Sequence, residues 1–210
     1  MVITISRQYG AGGSDVGRRV ADALGWSLVD NELIERVAAR AGLTPDEVAE
    51  REERVPTFVE RLARTLALAS PQLFPPGPAA GGAVDDLSEA RLVRITETVV
   101  SEMAAQGRVV LIGRAAPVVL GRQDNAMHVK LVAPKLVRIH LASERFGIDP
   151  DAAQRILEET DDMRARYHRE YYGRDWADPL NYDMILNTAR LGMDGAAGVI
   201  VGRARELGWS

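Results

Sequence analysis

Gly10, Gly12 and Gly13 lie between a short β-branched run and an amphipathic helix, in ITISRQYGAGGSDVGRRVADAL. Glycine lets the backbone curl tightly because it has no Cβ to collide with neighbouring atoms. Successive amides then point into one concavity, and the positive end of the following helix reinforces them. Such a turn is a natural anion site, suited to phosphate. Arg7, Gly10, Ala11, Gly12, Gly13, Ser14 and Asp15 are therefore the residues expected to hold a donor phosphate chain. Ser14 or Asp15 would cap the helix, and Ser14 is the side chain expected to touch a magnesium ion. The alternative is a tight strand-to-helix turn that binds nothing.

The phosphate-loop pattern G-x-x-x-x-G-K-[ST] uses its lysine to reach the β- and γ-phosphates. Here Gly13 stands in the lysine's place and Arg7 where the first glycine would be. Arg7 or an arginine from a lid is a candidate to replace the missing charge.

Further groups fall where other strands should end. Asp30, Asn31 and Arg36 follow the second apolar run, and Arg114 follows the third. A guanidinium is a forked, permanently charged partner for phosphate oxygens, so these four suit a phosphoryl acceptor. Taken singly, each arginine reads more simply as a surface ion pair. Asp161, Arg164, Arg166 and Arg169 share one predicted helix. That helix is either a lid whose arginines neutralise a transferring phosphoryl group or an ordinary surface carrying i, i+3 pairs. Tyr167, Tyr171, Tyr172 and Trp176 follow, and read as packing or as a base-stacking platform.

The elements that must position these residues alternate in type. Strands are predicted at Val2–Ser6, Trp26–Val29, Val109–Ile112, His128–Val132 and Tyr182–Leu186. Helices are predicted after the glycine turn, over much of 31–69, at Ser88–Ala105, at Pro134–Phe146, from Pro150 through Arg166, and at Asp194–Leu207. Alternation of this kind implies an α/β fold, with a parallel sheet covered on both faces and ligands at the carboxyl ends of its strands. A single domain over 1–210 is expected. Residues 70–86, SPQLFPPGPAAGGAVDD, break the pattern and read as a mobile loop, either a flap over the site or a tolerated surface insertion.

Composition narrows the partners. The formal net charge is -4, which offers no bulk attraction to free nucleic acid or to an anionic membrane. There are no cysteines, so disulfides, thiolate metal sites and cysteine nucleophiles are excluded. His128, His140 and His168 do not pair at metal-ligand spacing. Neither a signal sequence nor a membrane-length apolar run is visible, so a cytoplasmic protein is expected, with a homodimer left open.

The opening ITISRQYGAGGSDVGRRVADALGWSLVDNELIERV, with GRA at Gly113–Ala115 and YDMILNT at Tyr182–Thr188 in the same order, resembles the cytidylate kinase-like proteins. The resemblance implies a P-loop NTPase fold, three-layered, with a five-stranded parallel sheet and a helical lid. It implies ATP and magnesium as cofactors and a nucleoside monophosphate such as CMP or dCMP as acceptor. Arg36 and Arg114 would then hold the acceptor phosphate, Asn31 a sugar or base, and Asp30 the acceptor or a metal-bound water. Asp161 and Arg164 would match a lid pair and Arg138 an arginine on the preceding helix; as an enzyme the chain would use Arg164 and Arg166 to stabilise the transferred charge. The sequence departs from that family at the absent lysine, at Ala115 in place of an aspartate, and at Leu157 in place of a lid arginine. Two other readings therefore stand beside the enzyme: a nucleotide-binding sensor that has lost efficient transfer, and a kinase for another phosphorylated metabolite.

Overall fold

The structure is a computed structural model that describes residues 1–30, 89–113 and 115–209. The chain divides into two compact units, Met1–Glu32 with Val100–Ser210, and Leu33–Val99. The sheet and the glycine turn belong to the first.

Strand β1 (Val2–Arg7) is buried along its whole length, as expected of a central parallel strand with both faces covered. The glycine turn leads into α1 (Gly13–Leu24) and then β2 (Ser27–Asp30). Helix α2 (Glu89–Gln106) precedes β3 (Val109–Ile112), and a short helix α3 (Ala116–Leu120) precedes β4 (Ala126–Val132). Helices α4 (Lys135–Phe146) and α5 (Pro150–Tyr172) follow, then β5 (Met184–Asn187) and α6 (Thr188–Glu206). The five strands run parallel in the order β2-β3-β1-β4-β5. The chain leaves β1 for β2 on one side, whereas β4 lies on the other, so β1 ends at the point where the winding reverses. Ligands of open α/β sheets bind at such points.

Alternation along β1 sorts its side chains between two cores. Ile3 and Ile5 pack with Val16 and Val20 of α1 and with Ala196 and Ile200 of α6. Val2 faces the other layer with Val109, Leu111, Ala116 and Leu120. Ile3, Ile5, Val16 and Val20 are all fully buried, each contributing about 1.5–3 kcal/mol. The strand and the helix flanking the turn are therefore both anchored firmly.

The short α3 was not expected from the sequence, and several elements have other bounds than the sequence reading gave. The last helix begins at Thr188 rather than Asp194, because the Asn187 side chain caps it by accepting from the Ala189 amide. Its glycine break, at Gly192 (φ 68°, ψ 172°), is what masks the first turn in the pattern. Trp26 stays out of β2 and stacks on Trp209, with ring centroids 6.2 Å apart. Residues 31–69, the loop at 70–86, and Asn31, Arg36 and Arg114 lie outside the described residues.

Candidate functional site

The turn after β1 is shaped by Gly10 (φ 75°) and Gly12 (φ 78°), both in the left-handed region that side-chain-bearing residues rarely adopt. Ala11 closes it by donating its amide to the Gln8 carbonyl at 3.1 Å. Gly12 is the residue before α1 and carries no side chain to cap the helix. The positive end of α1 thus opens onto the turn without the usual internal acceptor. Ala11 and Ser14 are fully buried in the wall beneath.

The turn is held from the β4 side and from α4 and α5. The Gln8 amide donates to Leu131 O at 3.0 Å, and its side-chain oxygen accepts from the Ala133 amide at 3.2 Å. Asp161 of α5 accepts the Tyr9 amide at 2.8 Å on one carboxylate oxygen and Arg138 Nη1 of α4 at 2.6 Å on the other. Arg138 also donates to Tyr9 O at 3.2 Å and through Nε to Ala133 O at 3.0 Å. Arg164, one turn beyond Asp161, donates to Arg7 O at 2.9 Å and lies 3.7 Å from Asp161. The Arg138 and Asp161 side chains are 7% and 16% exposed, so this is a largely buried ion pair. It fixes the backbone of Arg7–Tyr9 in one shape before any ligand arrives, which is the structural form of preorganisation.

A second buried cation lies below the turn. Lys130 pairs in register with Ser6 on the neighbouring strand, and its Nζ donates to Trp176 O at 2.6 Å. It also sits 4.0 Å from the Trp176 ring centroid and 5.1 Å from that of Tyr182. Trp176 Nε1 donates to Ser6 Oγ at 2.9 Å, and the Tyr182 hydroxyl donates to Trp176 O at 2.9 Å. Burial pulls the Lys130 ammonium down to about 8, against the opposing pull of Asp161 and Asp175. Burial first, and the Lys130 charge second, push His168 down to about 4. Burial raises the Tyr182 hydroxyl to about 12, while its bond to Ser6 works the other way.

The structure thus gathers Arg7, Gly10, Ala11, Gly12, Gly13, Ser14, Arg138, Asp161 and Arg164 at the carboxyl end of β1. Asp15, in the first turn of α1, pairs with Arg145 of α4 at 3.1 Å. Arg166 is exposed on α5, and Asp30 ends β2 beside Ile112 of β3. Of the four expected acceptor residues, only Asp30 is among those described. Sequence reasoning missed Gln8, Lys130 and the Ser6–Trp176 bond. A lysine inside the apolar run AMHVKLV was the available signal for one of them. Among the described residues no group of three acidic or histidine side chains could hold a metal, and no helix is long and apolar enough to cross a membrane.

Five parallel strands in the order β2-β3-β1-β4-β5, with a glycine turn leading from the central β1 into α1, make an α/β fold of the P-loop kinase type. Within that class, the chain belongs to the cytidylate kinase-like family, whose profile matches residues 2–190. It is 28% identical over 204 residues to a cytidylate kinase of Natronomonas pharaonis, covering 95% of this chain and 87% of that one. It is 30% identical over 203 residues to a cytidylate kinase of Halobacterium salinarum, covering 96% and 88%. An uncharacterized protein from Eubacterium ventriosum has a solved structure that superposes with a TM-score of 0.67 at 19% identity, covering 98% of each chain. At that identity the likeness is one of fold. The protein is kinase-like, of a nucleotide-kinase family.

Proposed function

We propose that this protein transfers the γ-phosphoryl group of Mg-ATP to a nucleoside monophosphate, with CMP and dCMP as the leading acceptors, in the cytoplasm. The observation that carries the reading is the uncapped start of α1 at Gly12, opening onto a glycine turn whose backbone Arg138, Asp161 and Arg164 hold in place. The turn's amides and the helix end bind the donor phosphates, and the buried Ser14 offers one hydroxyl at that point. Magnesium bound with nucleotide phosphates takes only one or two protein oxygens, so a single hydroxyl without an acidic cage fits it. Ser14 would help hold the ion, which would supply charge neutralisation on the transferring phosphates.

The remaining roles rest on the family resemblance. Asp30, Asn31, Arg36 and Arg114 receive the acceptor, and Arg166 stands exposed on α5 to meet the transferred group. No protein nucleophile is required, because positioning and charge neutralisation supply the rate.

A second reading is favoured by one observation: Arg138, Asp161 and Arg164 bind loop backbone, which suits a nucleotide sensor as well as an enzyme. Incubating the protein with Mg-ATP and a panel of monophosphates separates the two. ADP release that depends on CMP or dCMP is the expected result. Saturable ATP binding with no acceptor-dependent ADP selects the sensor, and turnover only with another phosphorylated metabolite changes the acceptor class.

A further inference from the structure

Each glycine of the turn has something set against it where a side chain would stand. A Cβ built on Gly10 would meet the Arg138 carbonyl at 2.7 Å, and one on Gly13 would meet Arg7 Cγ at 2.8 Å. One on Gly12 would lie 2.2 Å from Met193 Sδ and 2.3 Å from Met193 Cε. The tip of Met193, a residue of α6, thus fills the side-chain space of the residue that starts α1. Met193 follows Gly192, whose φ of 68° and ψ of 172° break α6 in two. That backbone region is open to little but glycine and is costly to hold. A Cβ on Gly192 would meet nothing within 4 Å, so the bend and not crowding is what calls for glycine there. The bend decides where the next residue goes. Resting on the reading of the turn as a phosphate site, we propose that Met193 is a positioning residue for donor binding. Delivered by the break at Gly192, it holds Gly12 in the conformation that aims the turn's amides at phosphate.

The physical need is plain. A glycine with nothing against it explores many backbone conformations, and a turn that wanders must be ordered by its ligand at a cost in affinity. Residues 7–9 avoid that cost through polar bonds from Arg138, Asp161 and Arg164. Gly12 has no side chain with which to cap α1, and the group pressed against it is a thioether. Met193 can bear on it because the rest of α6 is anchored. Ala196, Ala197 and Ile200 are buried in the same core as Val16 and Val20 of α1, and Met193 packs against that core. Asp194, the next residue, makes a surface ion pair with Arg19 of α1 at 2.9 Å. The segment after the break is therefore fastened to the helix onto which the turn opens. An unbranched, polarisable side chain also follows an irregular surface closely, so methionine can rest on Gly12 and still yield as phosphate seats.

The test is calorimetry with Mg-ATP on the full chain and its variants, at a temperature where each is folded by its melting transition. Met193→Ala and Gly192→Ala should each weaken Mg-ATP about 10-fold. Both changes remove one contact, so Gly192→Ala/Met193→Ala should bind no more than about 3-fold more weakly than either alone. Met193→Leu returns an apolar group to Gly12 and should bind within about 3-fold of the parent. Ile200→Val thins the buried face of the same helix, and should melt earlier yet keep parental affinity. Should Gly192→Ala fail to fold, Met193→Leu against Met193→Ala decides alone. Parental affinity in Met193→Ala or in a folded Gly192→Ala overturns the proposal. So do fully additive losses in the double variant, a Met193→Leu no better than Met193→Ala, or an equal loss in Ile200→Val. Each of these leaves the phosphate site standing. A parent chain that binds no Mg-ATP removes the phosphate site and the role of Met193 together.

Discussion

Two of the cations buried near the glycine turn, Arg138 and Lys130, are kept there by different means. Arg138 is tied to a carboxylate, Asp161 of α5, and it also donates to Tyr9 O in the turn and to Ala133 O just past β4. Lys130 has a carbonyl and two aromatic faces in place of a carboxylate contact. Its ammonium is accordingly drawn down to about 8, chiefly by burial. A guanidinium cannot give up its proton in this range, so the first arrangement is a permanent clamp on the turn. An ammonium can, so the second is a pH-dependent support beneath it. The contrast shows why the turn, which must keep one shape, is held by arginine and carboxylate.

The contrast can be broken most sharply at Asp161. Asp161→Ala strands the Arg138 charge and leaves the Tyr9 amide without its acceptor. A loss of about 3–5 kcal/mol in denaturant unfolding is expected, with nucleotide binding weakened in parallel. A change below about 1 kcal/mol would mean that the clamp is not what holds the turn.

Titration probes the other cation. Between pH 8 and 10.5 the folded protein has released the Lys130 proton that the unfolded chain still holds. Stability should therefore rise with pH across that window, at up to about 1.4 kcal/mol per pH unit from this one group. On the acid side His168, at about 4 when folded and 6.5 when unfolded, acts with the same sign. Stability should fall as pH drops from 6.5 towards 4, and a His168→Phe variant should flatten that slope. Thermal melts across both ranges check each.

The smallest effect is expected from Lys130→Met. Removing a cation whose charged form is disfavoured, while the Tyr182 hydroxyl still serves Trp176 O, should leave stability at pH 7 within about 1 kcal/mol of the parent. The alkaline rise should vanish in the same variant. A loss comparable to that of Asp161→Ala would erase the distinction between the two cations.

The sequence carried the fold a long way. Five apolar runs, each close to an observed strand, and the glycine turn between β1 and α1 were all visible, because their signals are local. The partners of the turn were not. Asp161 and Tyr9 are 152 residues apart, and Arg138 and Tyr9 are 129 apart. Helical spacing could pair Asp161 with Arg164 but could not show that both reach the backbone of β1's end. In the same way, Arg7 and Gly13 were each readable as a departure from a pattern.

By itself, then, the sequence determined a parallel α/β chain with a phosphate-type turn at residues 10–15 and a lysine missing from it. Periodicity and glycine placement act over a few residues and need no fold to be read. Only the tertiary structure decided which way each side chain runs from its element. It set Asp161 and Arg138 against the loop backbone, buried Lys130 against Trp176, and laid Arg7 across Gly13. Those outcomes depend on how helices and strands distant in sequence pack together, and on the small volume that packing leaves between them.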